Sequence, residues 1–211
     1  NGTFNHSLQV ANLAAEVANR LGARAQLVRT GALYHDIGKL ENAVFFTENQ
    51  NGQNPHDCLS YERSAQIIIQ HVANGMKLAD KYKLPSVVKD FIATHHGKSL
   101  PKYFYVKAME TTPSLSSEGR GDASFRYPGP KPQTLEQAIL MMTDAVEAAS
   151  RSLTEYTEES ISALVEKIVG AQVSEGSFNE CAITFRQIAE AKEVLSARLR
   201  TVYHTRIQYP E

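Results

Sequence analysis

Seven histidines, at positions 6, 35, 56, 71, 95, 96 and 204, are the side chains of this 211-residue chain with the most chemistry to offer. Their neighbours are unusual for imidazoles. His6 precedes Val10 and Leu13 at helical spacing, His35 follows Val28 and Ala32, His71 follows Ile68, and His95 follows Phe91 and Ile92. Residues three and four apart share a helix face, so each of these rings points toward a core rather than toward water. One such histidine is more often a hydrogen-bonded core residue than a ligand. Several together are costly to desolvate unless something holds them, and a metal ion does so by taking a lone pair from each neutral ring. Asp36, beside His35, and Asp144, between Met141 and Ala148 on a later helix, add carboxylates that need a cation for the same reason.

Five imidazoles (His6, His35, His71, His95 and His96) with Asp36 and Asp144 exceed what one tetrahedral ion takes. They suit two divalent ions about 3.5 to 4 Å apart. Adjacent helical residues project about 100° apart, so His35 and Asp36 reach neighbouring sides of one site, which suits a bridging carboxylate. The set holds no thiolate: Cys58 and Cys181 are distant in sequence and form no CxxC pair, which also argues against a disulfide framework. Imidazole and carboxylate ligands leave Fe, Mn and Zn open. Two such ions lower the pKa of a bridging water toward about 7 and clamp phosphoryl oxygens, the chemistry of phosphodiester hydrolysis.

Around this set, Lys39 lies one turn beyond His35, where its ammonium can balance charge on a bound phosphate. The competing reading is a solvated lysine favoured by a helix C-terminus. The loop from Phe125 to Pro132 offers Arg126 and Lys131 for a second phosphate and Tyr127 as an aromatic face for a base, with a structural turn as the alternative. Tyr103 and Tyr105 can stack on a base or simply pack. His56 sits in a loop and His204 near the C-terminus, outside the ligand set.

Helices must position these groups. Periodicity and stop signals predict a first helix capped by Thr3 and running to about Leu21, and a second from Arg24 to Ile37 closed by Gly38. Residues 41–59, dense in Asn, Gly and Pro, read as an irregular loop. Further helices follow over about Tyr61 to Tyr82, Pro85 to His96, Pro101 to Glu110, Thr134 to Arg151, Glu158 to Val173, and Thr184 to His204. Residues 111–132, rich in Pro, Gly and Ser, are expected to form a flexible flap within one domain spanning 1–211. Strand signals are weak, so the expected fold class is an all-α bundle.

Lys plus Arg number 22 against 23 Asp plus Glu, so no global basic field draws in a nucleic-acid polymer, and any anionic ligand needs a local site. No stretch approaches the roughly 20 apolar residues of a membrane span.

The spaced set His6, His35-Asp36 and Asp144 resembles the H…HD…D signature of HD-domain metal-dependent phosphohydrolases. The strings HDIGK at 35–39, NPHDCLS at 54–60, HHG at 95–97, KYFYVKA at 102–108 and FRYPGPKPQT at 125–134, with His71, resemble the PgpH-type cyclic di-AMP phosphodiesterases within that group. The resemblance covers nearly the whole chain and implies an HD-domain helical bundle. It implies that His6, His35, Asp36 and Asp144 hold one ion and His71, His95 and His96 the other, with Asp36 bridging, and that the ions are iron or manganese. The implied reaction is hydrolysis of cyclic di-AMP, a small-molecule partner, to the linear dinucleotide pApA by a bridging hydroxide. It also implies a cytoplasmic catalytic part of a bacterial membrane protein with an extracytoplasmic region and seven transmembrane helices. The related HD-GYP class acting on cyclic di-GMP shares HDIGK and an HH pair but continues HHE toward a GYP tripeptide, which this chain lacks. Competing readings are an HD enzyme acting on another nucleotide, such as cyclic di-GMP, a dNTP or an alarmone, and a non-catalytic sensor with a degenerate centre. The sequence leaves the oligomeric state, a homodimer included, open.

Overall fold

The computed structural model describes residues 2–111 and 123–204, all helix, turn and loop, with no strand among them. Eight α-helices carry the architecture: α1 (Gly2–Leu21), α2 (Ala25–Tyr34), α3 (Tyr61–Lys81), α4 (Ser86–Thr94), α5 (Lys102–Thr111), α6 (Leu135–Ser150), α7 (Glu158–Ser174) and α8 (Phe185–His204). Three of them start where side-chain oxygens satisfy orphan amides. Ser60 accepts from the Arg63 amide, Thr134 from Gln137 and Thr157 from Ser160.

The apolar stripes of the helices around the site meet in one large core and a smaller one, beside a third small cluster of Ala65, Ala108 and Phe125. Leu13 and Val17 of α1, Ile139, Met142 and Val146 of α6, Ile161 and Val165 of α7, and Leu195 and Leu199 of α8 form the larger. Val10, Ala11, Ala32, Phe91 and Leu140 form the smaller, between α1, α2, α4 and α6. Those four helices also carry six of the seven expected ligands, all but His71, or present them at their C-terminal ends, so the second core is the floor on which the site stands.

The structure corrects several boundaries. Helix α1 already includes Thr3, which therefore is not its cap. Its hydroxyl instead donates to Glu48 Oε1 at 3.4 Å and accepts from Asn49 Nδ2 at 2.7 Å. Helix α2 stops at Tyr34, not Ile37, and a 3-10 run over Ile37–Phe45, kinked at Asn42, continues the chain. Gly38 is therefore no helix stop. A Cβ there would lie 1.8 Å from the His71 carbonyl oxygen and 2.3 Å from the Gly75 nitrogen, so Gly38 is required by the close approach of α3. Gly97, by contrast, ends α4's turn with φ +53°, as the stop signal requires. The expected irregular loop at 41–59 is ordered by two further short 3-10 turns, Thr47–Asn49 and Pro55–Cys58.

Half of the expected flap, residues 112–122, lies outside the described residues. Its end, 123–132, is packed: Phe125 is buried against Ala65 and Ala108, and the Tyr127 amide donates to the Ser99 carbonyl. No helix among the described residues is long and apolar enough to cross a membrane.

Candidate metal centre

Five elements converge on one buried point. His6 comes from α1, His71 from α3 and Asp144 from α6. His35 caps the C-terminus of α2 with Asp36 next to it, and His95 caps α4 with His96 in the following turn. His6, His35, Asp36, His71, His95 and Asp144 are each at most 6% exposed. Their donor atoms form two groups, His6–His35–Asp36–Asp144 and Asp36–His71–His95–His96, and within each the atoms lie within 4.8 Å of one another.

Asp36 belongs to both groups, and its two oxygens divide between them. Oδ2 lies 3.4 Å from His6 Nε2 and 3.3 Å from His35 Nε2. Oδ1 lies 3.4 Å from His71 Nε2 and 3.6 Å from His95 Nε2. Asp144 Oδ1 completes the first group at 2.9 Å from His6 Nε2 and 3.4 Å from His35 Nε2.

Backbone contacts fix which ring nitrogen faces inward. Nδ1 of His35, His71 and His95 lies 2.6, 2.5 and 2.8 Å from the carbonyl oxygens of Ala32, Ile68 and Ile92, each three residues back. A carbonyl only accepts, so each Nδ1–H donates and leaves the Nε2 lone pair pointing into the site. The consequence is a cluster of acceptor atoms turned toward one another. His71 Nε2 and His95 Nε2 stand 3.1 Å apart, and His35 Nε2 and both Asp36 oxygens lack any partner in hydrogen-bond geometry. Buried acceptors aimed at one another are unfavourable unless a cation lies among them. The donor set, imidazole and carboxylate without sulfur, fits Mn, Fe or Zn.

The charges of the two groups differ. Burial alone would lower the His6 pKa, but the carboxylates of Asp144, Asp36 and Glu147 outweigh it and hold it up at about 11. His35 is raised to about 9 against its own burial by Asp36 and Asp144. Burial favours neutral carboxyls, yet Asp36 is held well below the usual range by His35 and Lys39, and Asp144 by His35 and His6. In the second group burial dominates: His71 falls to about 3, and His96, further opposed by His95 and His71, falls well below 6.5. The first group thus binds protons where a cation would sit, and the second offers the neutral rings of His71 and His96.

The HD domain family model matches residues 3–149. The chain belongs to the HD-domain family. It is 44% identical, over its whole length, to the cyclic-di-AMP phosphodiesterase PgpH of Listeria monocytogenes, and 43% identical to PgpH of Bacillus subtilis. The chain spans 29% of the length of each of those relatives. The crystal structure of the L. monocytogenes phosphodiesterase PgpH HD domain in complex with cyclic-di-AMP superposes with a TM-score of 0.91, covering 99% of this chain and 94% of that one at 44% identity.

In this HD domain the residues expected to hold substrate are placed as follows. Lys39 Nζ lies 2.7 Å from Asp36 Oδ2 and 2.9 Å from Glu48 Oε1, over the Phe46 ring. Burial opposes its charge, but those two carboxylates raise its pKa further. Tyr127 is buried and stacked on His96, with ring centroids 4.2 Å apart and planes at 24°. Arg126, next to it, is exposed and donates to the Lys98 carbonyl. Lys131 Nζ donates to the Gly176 carbonyl, and Tyr105 packs edge-on against Phe125. Tyr103 is largely exposed beside Phe104. His56 bonds the Phe45 carbonyl and packs against Phe104. The His204 side chain lies outside the described residues.

Sequence reasoning missed three residues that touch this constellation: Glu48, which pairs with Lys39, and Glu147 and Arg151, which lie behind His6. The signal for the last two was the run Asp144, Glu147, Arg151 along one stripe of α6 and its end.

Proposed function

We propose that this HD domain is a metal-dependent phosphodiesterase that hydrolyses cyclic di-AMP to linear pApA. The observation that carries the reading is Asp36 with imidazole groups on both of its oxygens, an arrangement suited to two cations sharing one carboxylate. The substrate class rests on the similarity to PgpH along the full chain.

His6, His35, Asp36 and Asp144 would hold one ion, and Asp36, His71, His95 and His96 the other, with iron or manganese the metals proposed. When bound, two such ions supply Lewis-acid polarisation of a phosphoryl group and a water of lowered pKa. The chain's own residues do the rest. Three Nδ1–H bonds to helix carbonyls hold the rings in the metal-facing tautomer. Lys39 keeps Asp36 ionised and brings a positive charge next to the site, where anionic charge builds as the phosphodiester is attacked. Tyr127 packs His96 in place, and Arg126, beside it and exposed, is assigned to a second phosphate. Lys131 and Tyr105 hold the 123–132 segment that carries both residues. We further propose that the domain works on the cytoplasmic side of a membrane, tethered to transmembrane helices of a longer chain.

Metal analysis of the purified domain, combined with cleavage of cyclic di-AMP and cyclic di-GMP in the presence of Fe, Mn or Zn, tests the proposal. The expected outcome is two ions per chain and preferential release of pApA. A chain that binds two ions yet leaves cyclic di-AMP intact would overturn the substrate assignment.

A further inference from the structure

His6 differs from its fellow ligands in what stands behind it. His35, His71 and His95 lean on neutral backbone carbonyls, whereas His6 Nδ1 lies 2.5 Å from Glu147 Oε2. A ring nitrogen and a carboxylate oxygen that close must share a proton, so Nδ1–H donates to Glu147 and Nε2, 2.9 Å from Asp144 Oδ1 and 3.4 Å from Asp36 Oδ2, is the nitrogen left to give its lone pair to a metal. Glu147 is 3% exposed, although it stands on an otherwise ordinary i,i+4 pair with Arg151. Its burial is offset by Arg151, whose Nη2 lies 2.8 Å from Oε1 and 2.9 Å from Oε2, while Nε lies 3.1 Å from Oε1. The fork of the guanidinium fixes the carboxylate, and the carboxylate fixes the ring.

One further distance makes this arrangement a switch of tautomer rather than a surface ion pair. Arg151 Nη2 also lies 3.0 Å from His6 Nδ1. Arginine only donates, so it cannot pair with a protonated Nδ1. With Glu147 present, the Nδ1 proton goes to the carboxylate. Without it, Arg151 is the remaining partner of Nδ1, which must then accept, and the ring's proton moves to Nε2, the atom that faces the metal.

We propose that Glu147, clamped by Arg151, is a positioning residue that selects the metal-binding tautomer of His6 and so sets the affinity of the first metal group. The proposal rests on the two-metal reading above. Loss of a carboxylate behind a ligating histidine lowers metal affinity by about 10- to 100-fold, and here the loss falls on one of the two groups.

The test is titration of the metal-free chain with Mn(II), with free ion followed by electron paramagnetic resonance and helix content by circular dichroism. Wild type binding no Mn(II) removes the two-metal reading itself. With two ions bound by wild type, Glu147→Ala is expected to weaken one site by about 10- to 100-fold and leave the other unchanged. The double variant Glu147→Ala/Arg151→Met is expected to recover part of that loss, because the competing donor is gone. Equal binding at both sites in Glu147→Ala, or a double variant weaker than the single, overturns the proposal. Arg151→Met alone, which frees the carboxylate without removing it, is expected to weaken the same site by a smaller factor. A wild-type affinity in that variant overturns the clamp even if Glu147→Ala does not fold.

Discussion

Asp36 belongs to both donor groups through separate oxygens, so on the proposed two-metal reading its removal is expected to act on both at once. Asp36→Ala should lose both ions and turnover together; a variant that keeps two ions with full activity would sink the bridging role. Lys39→Ala separates a different pair of effects. Its ammonium contacts Asp36 and Glu48 rather than a donor nitrogen, so the variant should retain metal while turnover of cyclic di-AMP falls by about 100-fold or more. An unchanged rate would leave Lys39 with a structural role. Protonation distinguishes the two groups further. His6 and His35, with pKa values near 11 and 9, are charged at pH 7 and must lose protons to bind metal, whereas His71 and His96 are already neutral. Affinity of the first group should therefore rise with pH through 9 and on toward 11, while His71 and His96 add no pH dependence to the second between pH 6 and 8. Calorimetric titration in buffers of different ionisation enthalpy would show about two more protons released with the ion of the first group than His71 and His96 release with the other.

At the scale of elements, the ligands are positioned by how helices end and how closely they approach. The 3-10 run after α2 passes so near α3 that Gly38 faces the His71 carbonyl and Gly75 directly. Gly38→Ala would force that backbone apart by more than an ångström and shift His71, whose Nδ1 bond to Ile68 depends on α3 staying in place. We expect a destabilisation of roughly 1–3 kcal/mol, read by thermal denaturation, and selective weakening of the second metal group. This example marks what was legible in the sequence. The helices and all seven donor residues could be read, because apolar periodicity places His6, His71 and His95 on inward faces and the HD, HH and Asp144 positions follow from it. The role of Gly38 could not, because a glycine after an apolar helix looks the same whether it stops the helix or admits a neighbour. Glu147 was hidden for a related reason. With Arg151 four residues on, it has the spacing of a solvated ion pair, and only the fold brings His6, 141 residues away, against it. Tyr127 likewise reads as an aromatic face for a base or part of a turn, and only the fold sets its ring on that of His96.

For the whole molecule, the chemistry and the core have different extents. Every donor side chain lies between positions 6 and 144, and the family model matches only residues 3–149, so a chain ended just after α6 would keep the entire constellation. The core does not end there. Ile161, Val165 and Val169 of α7 and Leu195 and Leu199 of α8 are at most 2% exposed and pack in one cluster with Leu13, Val17, Met142 and Val146. Helices α1 and α6, which carry His6 and Asp144, therefore present one face to the donor cluster and the other to α7 and α8. Removing that cover would expose a contiguous apolar surface on both helices at once, and a truncation after Arg151 is expected to aggregate or lose helix content by circular dichroism. A milder lesion separates cover from chemistry. Leu195→Ala leaves a cavity far from the donors and should cost about 2–5 kcal/mol by denaturant titration while leaving the Mn(II) stoichiometry at the wild-type value. If that variant instead lost one ion, α8 would be coupled to the metal groups through α6 rather than merely covering it. The route open to such coupling is the Ser150 hydroxyl, which joins the Glu147 carbonyl to the Tyr203 hydroxyl of α8.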